Sequence, residues 1–361
     1  MARERLAPEL FELPVERIRR GFYTDVYFNR TKEVLERNQL HPRVLMQVFQ
    51  KKDAWLGGMD EALAALKLAC GLFTERGEWR DGWPELEVRA LYDGDRVSPY
   101  ETVMTIEGDY SLFAHLETVY LGSLARGTLV VGNVRAALEA AGGKPVLMFG
   151  ARHDHYAAQP LDGLSARIAG MDQVSTDAQA SLWGGRGMGT IPHGLIAAYG
   201  GDTVAATRAF ADMYHPDVNV VSLVDFDNDC VATSLAVARE LKERLWGVRL
   251  DNSETLVDRS LWREMGDFKP TGVQPELAFR VREALDREGF NHVKIIVSAG
   301  FDAAKIARFE AAGAPVDAYG VGSSLIRGEN DYTADVVMLA GKPCAKVGRR
   351  YRPNDRLKRV E

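Results

Sequence analysis

The stretch Gly247-Val248-Arg249-Leu250-Asp251 says more about this protein than any other part of its sequence. It is a short apolar run that stops at charged residues, as a buried parallel strand does when its carboxyl end carries side chains into a site. Arg249 and Asp251 stand two residues apart, so both point to the same side of such a strand. The arginine could grip a phosphate with two hydrogen bonds, and the aspartate could bind a ribose hydroxyl or magnesium. An internal salt bridge between the two side chains is the alternative.

Two later apolar runs end in loops of small residues, Ser298-Ala299-Gly300 and Gly320-Val321-Gly322-Ser323. Small residues let backbone N–H groups approach a phosphate closely, and the N-terminus of a following helix adds a favourable dipole. Tight turns between strand and helix also use glycine for steric reasons alone. Because two such loops follow neighbouring runs, the pattern favours a site for a 5′-phosphate.

Acidic residues and histidines supply further candidates. Asp225, Asp227 and Asp229 alternate after an apolar strand, and in an extended chain they would share one side, where Asp225 and Asp227 are expected to hold a metal. Capping of the next helix by Asp227 or Asn228 is the alternative. His193, in a glycine-rich segment, is a candidate base or nucleophile toward phosphate, although a lone loop histidine is commonly structural.

His153-Asp154-His155 offers a competing interpretation, because a His-x-His pair at the end of a strand can bind zinc. A third ligand would then have to come from His193, His215 or His292.

From residue 145 onward, strand patterns alternate with helical ones, which predicts a parallel sheet, and about six such units in a row favour a closed barrel over an open sheet. Active sites of such barrels lie at the carboxyl ends of the strands. The expected strands are Pro145–Gly150, Gln173–Thr176, Val218–Phe226, Gly247–Asp251, Val293–Ala299 and Ala318–Gly322. The expected helices are Thr203–Tyr214, Cys230–Leu245, Pro275–Glu288 and Ala303–Ala312.

The flanking segments indicate a second domain of mixed α and β structure. We expect a strand over Arg43–Gln50, a helix over Asp60–Ala69 and a turn at Asp93-Gly94-Asp95 between short strands. Residues 111–141 have helical spacing, with breaks expected at Gly122, Gly127 and Gly132. The basic tail is expected to return to this domain. The predicted division is therefore 1–112 with 331–361 for the mixed domain and 113–330 for the barrel.

The composition excludes several classes of protein. The chain has 361 residues, 46% hydrophobic and 27% charged, as in ordinary globular proteins. Its net charge of -6 argues against a nucleic-acid partner. No secretory signal and no run of 18 apolar residues is visible, so we expect a cytoplasmic protein without a membrane partner. Cys70, Cys230 and Cys344 are expected to be buried, reduced thiols.

Taken in order, these segments resemble the nicotinate phosphoribosyltransferase family, and the similarity extends from Tyr23 to about Lys346. The family has the type II phosphoribosyltransferase fold, so the resemblance implies an irregular parallel β/α barrel and a mixed α+β domain completed by the C-terminal tail. The matching motifs are Thr24-Asp25-Val26-Tyr27, Phe149-Gly150-Ala151-Arg152, Gly189-Thr190 with His193, Val224-Asp225, Arg249-Leu250-Asp251, Ser298-Ala299-Gly300 and Gly320-Val321-Gly322-Ser323.

The resemblance implies that nicotinate attacks phosphoribosyl pyrophosphate to give nicotinate mononucleotide and pyrophosphate, with magnesium present and ATP hydrolysis coupled through a phosphorylated histidine. His193 would be that histidine, and Asp225 and Asp251 would be the other catalytic residues. Tyr27 and Phe149 would enclose the pyridine ring, with Tyr27 supplied by the second subunit of a dimer or larger assembly.

The same resemblance assigns the remaining binding residues. Arg152 would lie beside the ring carboxylate or the phosphates, Arg249 would hold the ribosyl pyrophosphate, and Asp25 belongs to the motif around Tyr27. The 5′-phosphate would be bound by Ser298, Ala299, Gly300, Gly320, Gly322 and Ser323.

The sequence departs from the family where Asn252-Ser253-Glu254 replaces the usual Ser-Gly-Asp, and where His153 replaces a second arginine. Alternatives that remain open are a phosphoribosyltransferase for nicotinamide or quinolinate, a zinc hydrolase that uses His153 and His155, and an inactive nucleotide sensor.

Overall fold

The structure is a computed structural model that describes residues 3–189, 191–266 and 268–361. The strands are β1 (Arg43–Phe49), β2 (Ala54–Trp55), β3 (Gly71–Phe73), β4 (Trp79–Asp81), β5 (Glu87–Ala90), β6 (Arg96–Val97), β7 (Thr102–Asp109), β8 (Val146–Met148), β9 (Val220–Leu223), β10 (Leu245–Leu250), β11 (Lys294–Val297), β12 (Ala318–Val321), β13 (Thr333–Leu339), β14 (Lys342–Pro343) and β15 (Lys358–Arg359).

Short 3-10 turns connect several of these strands to the α-helices. The α-helices are α1 (Val15–Arg19), α2 (Val26–Arg37), α3 (Met59–Ala69), α4 (Glu117–Ala140), α5 (Gln159–Ala169), α6 (Asp177–Ala180), α7 (His193–Ala198), α8 (Thr203–Tyr214), α9 (Cys230–Leu241), α10 (Pro275–Arg287) and α11 (Ala303–Ala311).

The chain forms two compact units, which we call the first unit (1–132 with 328–361) and the second unit (133–327). The chain passes from one to the other within α4, since the helix continues through residue 132. The domain boundaries expected at 112/113 and 330/331 stay predictions, because compactness alone does not identify the parts that fold independently.

A six-stranded sheet organises the first unit, in the order β14-β13-β1-β7-β5-β15. β1 pairs antiparallel with β7 on one side and with β13 on the other, with Val44 opposite Gly108 and Leu339. The predicted return of the C-terminal tail to this part of the molecule is therefore confirmed. Cys344, in that tail, is exposed, so the expectation of a buried thiol is wrong for this residue and correct for Cys70 and Cys230.

The helix α4 is continuous, so the breaks expected at Gly122, Gly127 and Gly132 are wrong. Gly127 is needed for a different reason, because a Cβ there would lie 2.5 Å from the carbonyl carbon of Gly57 in the neighbouring turn. Gly57 N–H donates to the hydroxyl of Thr128 over 3.1 Å and fixes this close approach. Gly122 and Gly132 have open space where a Cβ would stand.

The second unit is built on a parallel sheet with the strand order β8-β12-β11-β10-β9, and the prediction of an α/β fold is confirmed. In β11 the exposed Lys294 is followed by three buried β-branched residues, Ile295, Ile296 and Val297, which suit burial on both faces. The barrel is irregular: within the described residues the outer strands β8 and β9 do not pair with each other.

The predicted strand Gln173–Thr176 is reduced to one parallel bridge between Val174 and Met148. Its remaining polar groups are used locally, since the side-chain oxygen of Gln179 accepts hydrogen bonds from both the N–H and the hydroxyl of Ser175. The segment therefore turns into α6 instead of continuing as a strand.

The register of the parallel strands determines which residues meet. Arg249 is opposite Leu223 on one side and Ile296 on the other, and Ile296 is opposite Ala318. The residues that follow two positions later stand at one level of the sheet, at its carboxyl edge. These residues are Asp225, Asp251, Ser298 and Gly320.

None of the described helices combines the length and the apolar character that crossing a membrane requires.

Candidate functional site

His193 and Asp225 form a hydrogen-bonded pair in the second unit. Nε2 of His193 lies 2.9 Å and 3.0 Å from the two carboxylate oxygens of Asp225, whose side chain is only 9% exposed. This hydrogen bond raises the pKa of His193, against the opposing effect of burial. The charge of Asp251 raises this pKa further, and that of Arg249 lowers it. The pair therefore favours the imidazolium form.

Arg249, Asp251 and Ser298 form the centre of the same edge. Nη2 of Arg249 is 3.6 Å from Oδ2 of Asp251, which confirms that the two side chains point to one side of the strand. The Ser298 hydroxyl donates to Oδ1 of Asp251 over 2.5 Å and is itself buried. Burial lowers the pKa of Arg249, while the carboxylates of Asp251 and Asp225 oppose that shift. The guanidinium cation of Arg249 is thus largely buried, and the negative charges of Asp251 and Asp225 stabilise it.

Three possible metal ligands meet here. His193, Asp225 and Asp251 each offer one ligand atom, and these atoms lie within 4.8 Å of one another. In the described residues this is the only such group of three or more histidine, cysteine or acidic side chains. A donor set rich in carboxylate oxygen fits a magnesium ion, so the residues present agree with the implied metal.

Asp227 lies outside this group. β9 ends at Leu223 and the chain turns at Phe226 and Asp227, so the extended, alternating arrangement expected for the acidic cluster is wrong. Asp227 is exposed in the turn. The helix α9 is capped neither by Asp227 nor by Asn228, because the carboxylate of Asp229 accepts the N–H of Ala232.

Phe149 belongs to the site through the glycines beside it. The N–H of Phe149 donates to the carbonyl of Val321 over 2.7 Å, and a Cβ at Gly320 would stand 2.5 Å from the Phe149 ring. The guanidinium carbon of Arg249 is 5.3 Å from the centre of that ring. Close packing is therefore a sufficient reason for glycine at position 320, as the steric alternative proposed.

Gly322 and Ser323 follow at the end of β12. A Cβ at Gly322 would lie 3.0 Å from the ring of His153, and Ser323 begins a 3-10 turn. Arg152 is exposed in the turn after Phe149, and its charge contributes to lowering the pKa of Arg249. The motif residue Thr190 lies outside the described residues.

The sequence did not reveal the backbone conformation of the loop after Ser298 or the two side chains, Lys305 and Glu254, that contact it. Ala299 and Gly300 both have left-handed backbone, with φ of 69° and 65°. The Lys305 ammonium donates to the carbonyl of Ala299 over 2.9 Å and lies 4.4 Å from the ring centre of Phe301. Burial lowers the pKa of Lys305, and the charge of Glu254 opposes that shift.

Glu254 is the second side chain that contacts this loop. Its carboxylate lies against Gly300, in the place where a Cβ of that residue would be. An acidic group thus covers the loop that was predicted to bind a phosphate. The only sequence signal was the departure Asn252-Ser253-Glu254, and spacing alone gave no direction for the side chain.

The zinc interpretation gains no support from the geometry. His153 and His155 are exposed, and Nδ1 of His155 accepts the N–H of Ala157. Among the described residues no third ligand joins these two histidines.

Asp25 and Tyr27 lie in the first unit, at the start of α2. The Thr118 hydroxyl donates to Asp25 over 2.8 Å, and the Asp25 N–H donates back to that hydroxyl oxygen over 3.0 Å. The Tyr27 side chain is 60% exposed. Glu117, which the sequence analysis missed, is nearby; burial and the charges of Asp335 and Asp25 raise its pKa to about 7. The binding roles predicted for Asp25 and Tyr27 stay predictions.

Comparison with known proteins places this geometry in context. Residues 25–127 match the family model for the N-terminal domain of quinolinate phosphoribosyl transferase. The structure is similar to the crystal structure of nicotinate-nucleotide pyrophosphorylase from Pyrococcus furiosus, with a TM-score of 0.78 and 33% identity over 97% of this chain and 82% of that one. It also shares the fold of human nicotinic acid phosphoribosyltransferase, with a TM-score of 0.63, 17% identity, and coverage of 89% and 76% of the two chains.

Curated proteins with a similar sequence are named as nicotinate phosphoribosyltransferases. Nicotinate phosphoribosyltransferase pncB1 of Mycobacterium tuberculosis is 31% identical over 258 residues, which are 70% of this chain and 52% of that protein. The Bacillus subtilis nicotinate phosphoribosyltransferase is 25% identical over 240 residues, 66% of this chain and 45% of that protein. The chain therefore spans about half the length of the curated relatives it matches.

The fold and the arrangement at its carboxyl edge define a type II phosphoribosyltransferase fold. Within that class, the chain belongs to the nicotinate phosphoribosyltransferase family.

Proposed function

We propose that this protein transfers the phosphoribosyl group of phosphoribosyl pyrophosphate to nicotinate, which gives nicotinate mononucleotide and pyrophosphate for NAD salvage. The observation that supports the proposal is the convergence of Asp225, Arg249, Asp251 and Ser298 at the carboxyl edge of the parallel sheet. The names of the relatives from Mycobacterium tuberculosis and Bacillus subtilis support the same reaction.

The residues suit the charge changes of this transfer. As the bond between the ribose C1 and the pyrophosphate oxygen breaks, positive charge develops on the sugar and negative charge on the leaving group, and the pyridine nitrogen forms the new bond to C1. Asp225 and Asp251 would stabilise the sugar, and Arg249 would hold the departing diphosphate, which agrees with the proximity of these side chains. Fixing both substrates beside Phe149 removes much of the entropic barrier.

Magnesium, when bound, would neutralise the diphosphate and polarise its oxygens. Asp225 and Asp251 would hold it, with the Ser298 hydroxyl keeping Asp251 oriented. The metal role predicted for Asp227 is not part of this proposal, because its side chain is exposed in the adjacent turn.

Coupling to ATP through His193 forms part of the proposal. In the neutral ring, the hydrogen bond from Nε2 to Asp225 leaves the lone pair on Nδ1, which is then the nitrogen that can attack a phosphorus atom. Asp225 would stabilise the positive charge of the ring as the γ-phosphoryl group moves from ATP to Nδ1 and ADP leaves. The dimer with shared sites and the cytoplasmic location stay predictions.

A second candidate substrate is quinolinate, because the matching family model and the related Pyrococcus structure carry names from that branch. Quinolinate has two carboxylates and needs more cationic contacts than nicotinate. Arg152 and His153, exposed beside Phe149, are the groups that could supply them.

The decisive experiment offers nicotinate, nicotinamide and quinolinate separately, with phosphoribosyl pyrophosphate, magnesium, and either ATP or no ATP. We expect nicotinate mononucleotide and pyrophosphate to form in equal amounts, faster with ATP. Faster turnover of quinolinate, with release of carbon dioxide, would replace the proposed substrate by the second candidate. Absence of any mononucleotide would overturn the proposed function.

A further inference from the structure

A buried network of polar side chains adjoins the carboxyl edge of the sheet in the second unit. Its centre is formed by Asp258, which is fully buried, and Asn252, which is 2% exposed. Asn252 directly follows Asp251 just beyond the end of β10. Burying an amide and a carboxylate costs free energy unless hydrogen bonds replace those to water, so the network calls for an explanation.

Hydrogen bonds satisfy both carboxylate oxygens of Asp258. Oδ2 accepts the N–H of Cys230, at the start of α9, over 2.9 Å and the side-chain amide of Asn252 over 3.2 Å. Oδ1 accepts the N–H of Ser260 over 3.0 Å and its hydroxyl over 2.7 Å. Within the described residues, no basic side chain forms an ion pair with Asp258. This carboxylate therefore holds together α9, the end of β10 and its own turn.

The side chain of Asn252 is held at both of its polar atoms. Its oxygen accepts the thiol of Cys230 over 3.2 Å. Its nitrogen donates to Asp258 and lies 3.4 Å from Oδ1 of Asn228. A serine, which the resemblance to the family leads us to expect at this position, has one polar atom and could not make all three contacts. The departure from the usual Ser-Gly-Asp thus has a structural consequence.

Asn228 connects this network to the turn that carries Asp225. Its N–H donates to the carbonyl of Asp225 over 2.9 Å, and its left-handed backbone, with φ of 54°, closes the turn. Its side-chain nitrogen donates to the carbonyl of Val257 over 2.8 Å, and its own carbonyl accepts the N–H of Arg259 over 3.0 Å. The main chain after Asp225 is therefore tied to the residues on both sides of Asp258.

The network thus reaches Asp225 and Asp251, whose ligand atoms lie within 4.8 Å of each other. We propose that Asn252 and Asp258 are positioning residues, which fix the distance between these two carboxylates so that both can hold one divalent cation. The inference rests on the proposed function, in which the two carboxylates bind magnesium. Removal of hydrogen bonds that orient metal ligands lowers metal affinity or activity about ten- to a hundredfold in other proteins.

The test measures binding of Mn²⁺ to the full chain without substrates, by electron paramagnetic resonance, because Mn²⁺ prefers the same oxygen ligands as Mg²⁺. The relevant site is the one that is lost when Asp225→Asn and Asp251→Asn are combined. We expect Asn252→Ala to raise the Kd of this site about tenfold or more. Asn228→Gly should act in the same direction, and it preserves the fold because glycine suits the left-handed backbone.

Thr207→Val is the matched control. The Thr207 hydroxyl is fully buried and lies 2.8 Å from the hydroxyl of Ser222, so the variant also loses a buried hydrogen bond of the second unit. It removes no contact of the network and should leave the Kd for Mn²⁺ unchanged. Urea denaturation of each variant measures the loss of stability and identifies any variant that does not fold.

An unchanged Kd in folded Asn252→Ala would overturn the inference, and if that variant does not fold, the same result in Asn228→Gly decides. An equal rise of the Kd in Thr207→Val would also overturn it, since lost stability alone would then explain the effect. Absence of Mn²⁺ binding at the two carboxylates of the unchanged protein would do so as well.

Steady-state kinetics separate positioning of the carboxylates from a general loss of structure. We expect Asn252→Ala to lower kcat about tenfold and to leave the KM for nicotinate within about twofold, because Phe149 is outside the network. A raised KM with unchanged kcat would contradict the role. If the unchanged protein forms no mononucleotide, the proposed function fails, but the Mn²⁺ result stands because it is measured without turnover.

Discussion

Single side chains tune the candidate site through hydrogen bonds that cross between strands. Asp251 is positioned by Ser298 from the neighbouring strand, and His193 by Asp225 from a strand end. The roles proposed for these residues depend on geometry finer than the strand positions, so each is open to test by one substitution.

Asp225→Asn should lower the pKa of His193, because the hydrogen bond to the carboxylate is the largest cause of its raised value. Burial and the charge of Arg249, which both lower this pKa, would remain. The imidazolium would therefore lose its proton at lower pH than in the unchanged protein. NMR titration of the ring protons measures the shift. Asp227→Asn, in the exposed turn nearby, is the control, and an unchanged His193 pKa in Asp225→Asn would contradict the pairing.

Glu254→Gln should strengthen binding of the phosphate-bearing substrate, because a negative carboxylate now lies against Gly300. We expect KM for phosphoribosyl pyrophosphate to fall roughly two- to fivefold, the size of an exposed charge interaction. Glu243→Gln is the control, because Glu243 is an exposed acidic residue just before the amino end of β10, away from the candidate site. A KM that rises in Glu254→Gln would instead mean that the carboxylate helps to hold the substrate or its metal.

At the scale of elements, the helix α4 shows that one residue type serves different purposes in one helix. Its glycines at 122 and 132 face open space, whereas Gly127 touches the turn at Gly57. Sequence periodicity predicted the helix but also expected breaks, because a single sequence does not show which glycine meets another segment.

Gly127→Ala should destabilise the fold by about 1–3 kcal/mol, since the added methyl group meets backbone that cannot move aside. Gly122→Ala in the same helix is the matched control and should be neutral or stabilising by up to about 1 kcal/mol. Urea denaturation gives both values. Equal midpoints for the two variants would show that the close approach to Gly57 has no energetic weight.

The sequence predicted the parallel strands well because buried runs such as residues 295–297 and Ala318–Val321 stop abruptly at small or charged residues. It also predicted that Arg249 and Asp251 share one side, which needs only a repeat of two residues. It did not predict the turn at Asp227 or the direction of Glu254, since both depend on contacts between segments far apart in the chain.

At the scale of the whole molecule, Tyr27 in the first unit is predicted to complete a site on a second copy of the chain. Its side chain is 60% exposed, while partial desolvation of its hydroxyl group and the charges of Asp25 and Glu117 raise the pKa of that hydroxyl, so the ring stays neutral. In such an arrangement, each site would be built from residues of two subunits.

Mixing Tyr27→Ala with His193→Ala should restore part of the ATP-stimulated activity that each variant alone lacks, because some mixed dimers would contain one intact site. Activity measured after joint refolding, with each variant refolded alone as the control, provides the test. If the mixture is no more active than its components, the two residues act within one subunit or Tyr27 has no role.

The central strand β1 can pair with β7 soon after both are synthesised, but it can pair with β13 only when most of the chain has been translated. On the ribosome, one edge of β1 therefore waits unpaired while the whole second unit emerges. An open strand edge is a template for pairing with other chains. We therefore expect the nascent polypeptide to be prone to aggregation at this stage, and a chaperone that covers this edge should raise the yield of native protein.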